Sequence, residues 1–255
     1  MESYCKILYK ADFMNYKPSE SSVLLEFCFR YDTEDAVADE VTLVIATKNS
    51  GKLIEIESLL KNFPISLKSL SDFGPIPQVE EDGVSFDDNA YKKAAFTARV
   101  LGLPALADDS GLIVPALEGE PGVHSARYGG DGLTDAQRCE LLLKNLSGQT
   151  DRKAYFSCVI SIATPTGAAL TYEARCDGLI AESAVGAGGF GYDPVFYYPP
   201  LNKTFAEMTV EEKSRVSHRG NAMKEMQREF DKVLVWIQQQ MPVFEKFPCK
   251  EGIAC

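Results

Sequence analysis

An α/β fold is predicted, as one domain or as two lobes sharing a cleft, and three stretches of the sequence predict it. Val41-Thr42-Leu43-Val44-Ile45-Ala46 reads as a buried strand that runs through a polar turn into an amphipathic helix. Leu103 to Ala107 and Leu112-Ile113-Val114 are apolar runs on either side of Asp108-Asp109-Ser110-Gly111. Strand patterns at 154–164, 168–175 and 178–183 follow one another as a meander, with helical patterns before and after them. A chain of 255 residues can bury a large core around such elements.

The paired acids carry the first functional signal. Asp108 and Asp109 follow an apolar strand and so lie beside a core, where an unpaired charge is costly or shifts its pKa until it neutralises. A hard divalent cation such as Mg²⁺ would satisfy them, and so would a cation-rich phosphate site. The plainer alternative is that one acid caps a turn at the strand end and Gly111 supplies a positive φ.

Composition narrows the function classes. The formal charge of -11 leaves no basic excess to displace counterions from a nucleic-acid polymer, while a small anion remains a suitable ligand wherever a few cations gather. No apolar run approaches the roughly 20 residues of a membrane helix, and the first residues lack the basic-then-apolar order of a secretion signal, so a cytoplasmic protein is expected. Seven scattered cysteines without a C-x-x-C pair, and only two histidines, argue against structural zinc and a disulfide framework. Cys158 and Cys176 sit in strand-like runs and read as small core hydrophobes.

In chain order, residues 1–40 form an N-terminal extension with no assigned role, although 23–29 has a strand pattern. The main domain spans 41–240, and 241–255 reads as a loose tail. After the first strand, Thr47-Lys48-Asn49-Ser50-Gly51-Lys52 leads into a helix with Leu53, Ile56, Leu59, Leu60 and Phe63 on one side. Free N–H groups at such a helix start favour an anion, and Lys52 adds a charge. It is not a Walker loop, for the leading glycine is absent and Leu53 replaces the hydroxyl residue. The structural alternative is that Asn49 or Ser50 only caps the helix. The loop Pro75 to Gly83 carries Glu80, Glu81 and Asp82, and Ser85-Phe86-Asp87-Asp88 resembles a capping box opening a second helix. Three acids in a row are ordinarily solvated; they matter only where Glu80 or Glu81 comes beside Asp109.

The loop Gly119 to Gly130 contains Arg127, open to a phosphate or to a structural ion pair. Thr134 and Gln137 form a capping box for a helix ended by Gly148, and Pro165-Thr166-Gly167 joins two strands as a hairpin. Gly186 to Pro194 has four glycines in six residues, and Phe190 and Tyr192 offer flat faces on which a base could stack for about 1–3 kcal/mol. A turn with its aromatics folded inward is the competing account. Thr209 and Glu212 cap a helix carrying Lys213 towards Ser217-His218-Arg219-Gly220, and a last helix spans 222–240.

Five blocks in this order resemble the inosine triphosphate pyrophosphatase family. They are T-K-N-S-G-K at Thr47 to Lys52, A-D-D-S-G at Ala107 to Gly111, P-G-V-H-S-A-R-Y at Pro121 to Tyr128, G-G-F-G-Y-D-P at Gly188 to Pro194, and E-K-S-R-V-S-H-R-G at Glu212 to Gly220. The resemblance covers 41–240 and implies a long central mixed β-sheet flanked by helices, two lobes around a substrate cleft, and a homodimer. It implies Mg²⁺-dependent hydrolysis of ITP, dITP and XTP to the monophosphate and pyrophosphate. Thr47, Lys48, Asn49, Ser50, Gly51 and Lys52 would hold the triphosphate, Asp109 would bind metal and accept a proton, and Ser110 would touch substrate. Phe190, Gly191, Tyr192, Asp193, Lys213, His218 and Arg219 would enclose the nucleotide. Glu80 and Glu81 stay equally open as the second metal ligand. Pro115 stands where many relatives carry an acid, which weakens any case for a third carboxylate. A Maf-type pyrophosphatase acting on pyrimidine or modified nucleotides is the rival, and a sensing module without turnover gives the two acids little to do.

Overall fold

A computed structural model describes residues 40–242; the features read at 1–39 and 243–255, the strand pattern at 23–29 among them, lie outside the described residues. Seven strands form one sheet in the order β2-β1-β3-β4-β5-β6-β7. They are β1 (Val41–Ile45), β2 (Ile65–Ser69), β3 (Ala105–Ile113), β4 (Lys153–Ala163), β5 (Ala169–Ile180), β6 (Phe196–Tyr198) and β7 (Lys203–Thr204). The pairs β1–β2 and β1–β3 are parallel, and every pair from β3 to β7 is antiparallel. This is the mixed sheet of the expected α/β fold. Six helices cover it: α1 (Ser50–Leu60), α2 (Phe86–Leu101), α3 (Asp135–Asn145), α4 (Val210–Val216), α5 (His218–Arg228) and α6 (Phe230–Gln240).

The alternation of β3 sorts the core. Side chains of a strand point to opposite faces in turn, so Leu106, Asp108, Ser110 and Leu112 share one face and Ala105, Ala107, Asp109 and Gly111 the other. On the first face Leu106 joins Ile160 and Ile162 of β4 beneath α1, α5 and α6. At the far end of that face, Leu112 and Phe156 join α3, Phe196 and Phe205 in a second cluster. Asp108 and Ser110 lie between these two apolar clusters. On the opposite face, Ala105, Ala107 and Ala163 pack against Ala94, Ala95 and Ala98 of α2. Small residues on both sides bring that helix close to the strand, and Asp109 points towards its first turns.

Helix starts follow the sequence chemistry. The Asn49 side chain accepts from Lys52 N, Thr134 pairs with Gln137 and Thr209 with Glu212 as full capping boxes. At α2 only half the box forms: Ser85 Oγ accepts from Asp88 N and donates to the Asp88 carboxylate. Cys158 and Cys176 are buried in strands as expected, with their thiols pushed up to about 12 by burial.

Four expectations are corrected. The acids do not end a strand: β3 runs unbroken through Asp108, Asp109, Ser110 and Gly111, and Gly111 has no positive φ. Glycine is required there for space, since a Cβ would stand 2.3 Å from the Gly122 carbonyl oxygen and 2.5 Å from Ser125 Oγ. The strand read separately at 178–183 is the end of β5, which passes continuously through Asp177 against β4. The helix read at 222–240 is two, starting already at His218 and breaking at Glu229, whose backbone leaves the helical region (φ -126°). Strands β2, β6 and β7 escaped the sequence reading: three and two residues leave no periodicity in β6 and β7, and the apolar–polar alternation of Ile65 to Ser69 in β2 was overlooked.

Candidate active site

Parallel pairing between β1 and β3 is brief: Val44 faces Ala105 and Ile45 faces Leu106, after which β3 stays paired with β4 on one edge while its other edge has no strand partner until the bridge from Ile113 to Pro121. The chain leaving β1 turns through 46–49 into α1, so the start of that helix lies beside the strand edge that β1 does not cover. Lys52, in the first turn, reaches Asp108 Oδ2 at 3.1 Å. Arg219, from the first turn of α5, meets the same oxygen through Nη2 at 2.7 Å and Nε at 3.1 Å. Asp108 is 2 % exposed and Arg219 1 %. Burial alone would raise the Asp108 pKa, but the charges of Arg219 and Lys52 outweigh it and hold the carboxyl well below the usual range. Of the two partners open to this acid, cations are therefore the ones it has.

The charges continue in alternation. Arg219 Nη1 donates to Glu55, Glu55 pairs with Lys213 at 2.8 Å, and Lys213 pairs with Asp193 at 2.6 Å. Ser110 Oγ accepts from Arg219 Nη2 at 3.0 Å. Asp193 also accepts from the N–H of Phe190 at 2.9 Å and so fixes the turn that carries that ring. Phe190 lies against the start of α1, where a Cβ at Gly51 would come within 2.4 Å of the ring; only glycine lets the two segments meet. Lys213 Nζ stands 4.5 Å from the ring centre and the Arg219 guanidinium carbon 5.8 Å.

Asp109 faces the other way. It is 6 % exposed, and its oxygens take Lys93 Nζ at 3.1 Å and Asn89 Nδ2 at 3.2 Å. Glu81 lies 3.4 Å from the same ammonium. Burial raises the Asp109 pKa despite the opposing charges of Lys93 and Lys52. Three carboxylates (Asp108, Glu55 and Asp193) are matched by Lys52, Arg219 and Lys213, whereas Asp109 and Glu81 share Lys93 alone. That surplus of negative charge on hard oxygen donors fits a divalent cation. Among the described residues no group of three His, Cys, Asp or Glu is placed to hold a metal ion by itself; Mg²⁺ is an ion commonly held by one or two carboxylates together with substrate phosphates.

Thus Lys52, Ser110, Phe190, Asp193, Lys213 and Arg219 come together on the Asp108 side of β3, and Asp109 stands on the other side with Lys93 and Asn89. His218 opens α5 beside them, buried and stacked on Phe156 at 4.6 Å. Burial, with Arg219 and Lys213 nearby, keeps its pKa well below the ordinary value, so the imidazole is neutral. Thr47 Oγ1 accepts from Asn49 N at 3.2 Å, and Lys48 and Ser50 are exposed. Two expectations are narrowed. Tyr192 is folded inward, its hydroxyl donating to the Ser125 carbonyl at 2.9 Å, so its face offers no platform for a base. Gly186 and Gly188 make their close approach to the backbone of Ala206, a contact within the chain itself. Glu80 is exposed, and among the described residues Glu81 is the loop acid near Asp109. The Arg127 guanidinium donates to the Glu81 carbonyl at 3.1 Å, and among the described residues it makes no ion pair.

Sequence reading missed Glu55, Asn89 and Lys93. Each left a trace: Glu55 follows Lys52 by three residues on a helix, and Asn89 and Lys93 stand four apart beside the alanine stripe of α2. What the trace lacked was any indication of the opposing residue.

A mixed sheet whose strand edge joins a lysine-bearing helix start, an acid pair and a glycine-flanked aromatic defines a nucleotide-handling α/β protein, and the chain belongs to the Ham1 family, whose sequence model matches residues 43–229. A dITP/XTP pyrophosphatase of Syntrophobacter fumaroxidans is 60 % identical over 199 residues, covering 78 % of this chain and 86 % of that one. Another, from Desulfotalea psychrophila, is 55 % identical over 208 residues, 82 % of this chain and 92 % of its own. A solved HAM1 protein from Coxiella burnetii matches with a TM-score of 0.70 at 40 % identity, over 75 % of this chain and 99 % of that one. The resemblance read from five sequence blocks is borne out.

Two consequences follow from the charges. Asp108→Asn removes the anion that Arg219 and Lys52 share and leaves Arg219 with Glu55 alone, and is expected to cost about 3–5 kcal/mol in urea unfolding. His218 resists a proton that the unfolded chain accepts near pH 6.5, so its contribution is complete above that pH and is lost as pH falls below it. From pH 7.5 to 5.5 the unfolding free energy of the wild type should drop further than that of His218→Gln in urea titrations.

Proposed function

We propose that this chain hydrolyses deaminated purine nucleoside triphosphates, ITP, dITP and XTP, to the monophosphate and pyrophosphate. The observation that carries the reading is the gathering of Lys52, Ser110, Arg219 and Phe190 about one face of β3, with Asp109 and Lys93 on the other face of the same short stretch. In this reading the triphosphate lies along Thr47 to Lys52, where the N–H groups of Ser50 and Gly51 head α1 and attract phosphate oxygens. Lys48 and Lys52 add charge from either side of that turn.

Asp109 serves as proton acceptor for the attacking water, a carboxylate held in place by Lys93 and Asn89. The water oxygen bonds to the α-phosphorus, the α–β anhydride bond breaks, and pyrophosphate leaves with the bridging oxygen. Asp109 and Glu81 would hold Mg²⁺, which supplies charge neutralisation for the phosphate oxygens. Asp108 is excluded from proton transfer by its two cations, which keep it ionised.

The base would stack against Phe190, with Ser110, Gly191, His218 and Arg219 around it. Lys213 and Arg219 beside that ring are donors only. A 6-oxo purine would present them an acceptor, whereas the adenine amino group would set a donor against donors. Tyr192 and Asp193 support the ring from behind. The family resemblance also supports a cytoplasmic homodimer, for which light scattering should give twice the 28.1 kDa chain mass. Among the described residues, no helix is long and apolar enough to cross a membrane.

With Mg²⁺ and a panel of triphosphates, pyrophosphate release should be fast for ITP, dITP and XTP and slow for ATP and GTP. Equal turnover of ATP, release of orthophosphate, or a preference for dTTP or UTP would contradict the reading, the last in favour of Maf-type chemistry. Asp109→Asn should stay folded and lose about 10²–10⁴-fold in kcat, while Lys52→Ala chiefly raises KM.

A further inference from the structure

We propose that Asn89 is a positioning residue that fastens the acid loop 75–83 to Asp109, so that Glu81 and Asp109 face one cation together. This rests on the reading of those two acids as the Mg²⁺ carboxylates. Asn89 lies in the first turns of α2 and is 1 % exposed. Its Oδ1 accepts from the backbone N–H of Gly83 at 2.8 Å, and its Nδ2 donates to Asp109 Oδ2 at 3.2 Å. Both ends of the amide are committed, one to the loop and one to the carboxylate. Aspartate would set a like charge against Asp109, and an apolar residue would leave a buried carboxylate oxygen and an N–H without partners.

The loop is held at two points around Glu81. Arg127 Nη2 donates to the Glu81 carbonyl at 3.1 Å, and two residues on, Asn89 holds Gly83. Between them the Glu81 carboxylate is 3.4 Å from Lys93 Nζ, which is itself 3.1 Å from Asp109 Oδ1. Lys93 thus joins the same two acids, but its ammonium competes with a metal ion for their oxygens and cannot keep the loop in place once a cation binds there. Asn89 uses backbone and the other Asp109 oxygen, so its hold survives cation binding. Groups that orient ligands in this way commonly contribute 10- to 100-fold to metal affinity.

The test compares Asn89→Ala, Glu81→Ala and the double variant of the full chain. Mg²⁺ is titrated against ITP turnover, and amide hydrogen exchange at 81–83 is measured without metal. Each single change should raise the Mg²⁺ needed for half-maximal turnover about tenfold or more. The double variant should be no worse than about twofold beyond the weaker single, because the two changes remove one function. Exchange at 81–83 should quicken about tenfold or more when Asn89 is changed, and should not change in Glu81→Ala. Wild-type Mg²⁺ dependence in Asn89→Ala, or effects that multiply in the double variant, would overturn the proposal. An unaltered Mg²⁺ dependence in Glu81→Ala alone would instead remove the metal assignment beneath it, and the proposal with it. Should Asn89→Ala fail to fold, Asn89→Ser, polar but too short to span either gap, carries the same comparison.

Discussion

The ion pairs around Asp108 are the constraint on which the rest depends. A carboxylate buried between two apolar clusters is tolerable only with its cations in place, and those cations come from α1 and α5, more than a hundred residues apart in sequence. Arg219 is shared with Glu55, Glu55 with Lys213, and Lys213 with Asp193, so each charge is neutralised by a neighbour on a different element. Such a chain adds little net stability over an apolar core of equal volume, yet removal of one member strands another. Its effect is to fix where α1, α4, α5 and the Phe190 turn stand relative to β3.

That same chain frees Asp109 for other work. Adjacent residues of a strand face opposite ways, so the neighbour of a fully compensated acid projects into a setting with one ammonium and two carboxylates. One acid is locked in its ionised state by its surroundings and the other has its affinity for protons raised by burial. Two identical side chains thereby acquire different chemistry from a period of two and a sheet with unlike faces. The early end of β1 matters equally, because a longer β1 would cover the strand edge beside which Lys52 and Phe190 now sit.

Much of this was legible in the sequence where the signal is local. Helix starts at Asn49, Thr134 and Thr209 declare themselves because a side chain three residues from a free N–H is always in reach. Block order at Thr47 to Lys52, Ala107 to Gly111 and Gly188 to Pro194 was enough to recognise the family. Local pattern misled at Asp108 and Asp109, where polar residues followed by glycine imitate a turn although the backbone stays extended. It also misled at Tyr192, whose inward course depends on a carbonyl from Ser125, 67 residues away.

By itself, then, the sequence determined the α/β class, the caps, the basic turn before α1 and the acids that matter, all of which follow from neighbours along the chain. Only the tertiary structure decided that Asp108 is an ion-paired anchor while Asp109 faces Lys93 on the other side of the strand, that Glu81 and not Glu80 approaches it, and that Glu55, Asn89 and Lys93 stand among these charges. The reason is physical: a charge's role is set by what stands opposite it within a few ångströms, and those partners arrive from distant elements that no local periodicity relates.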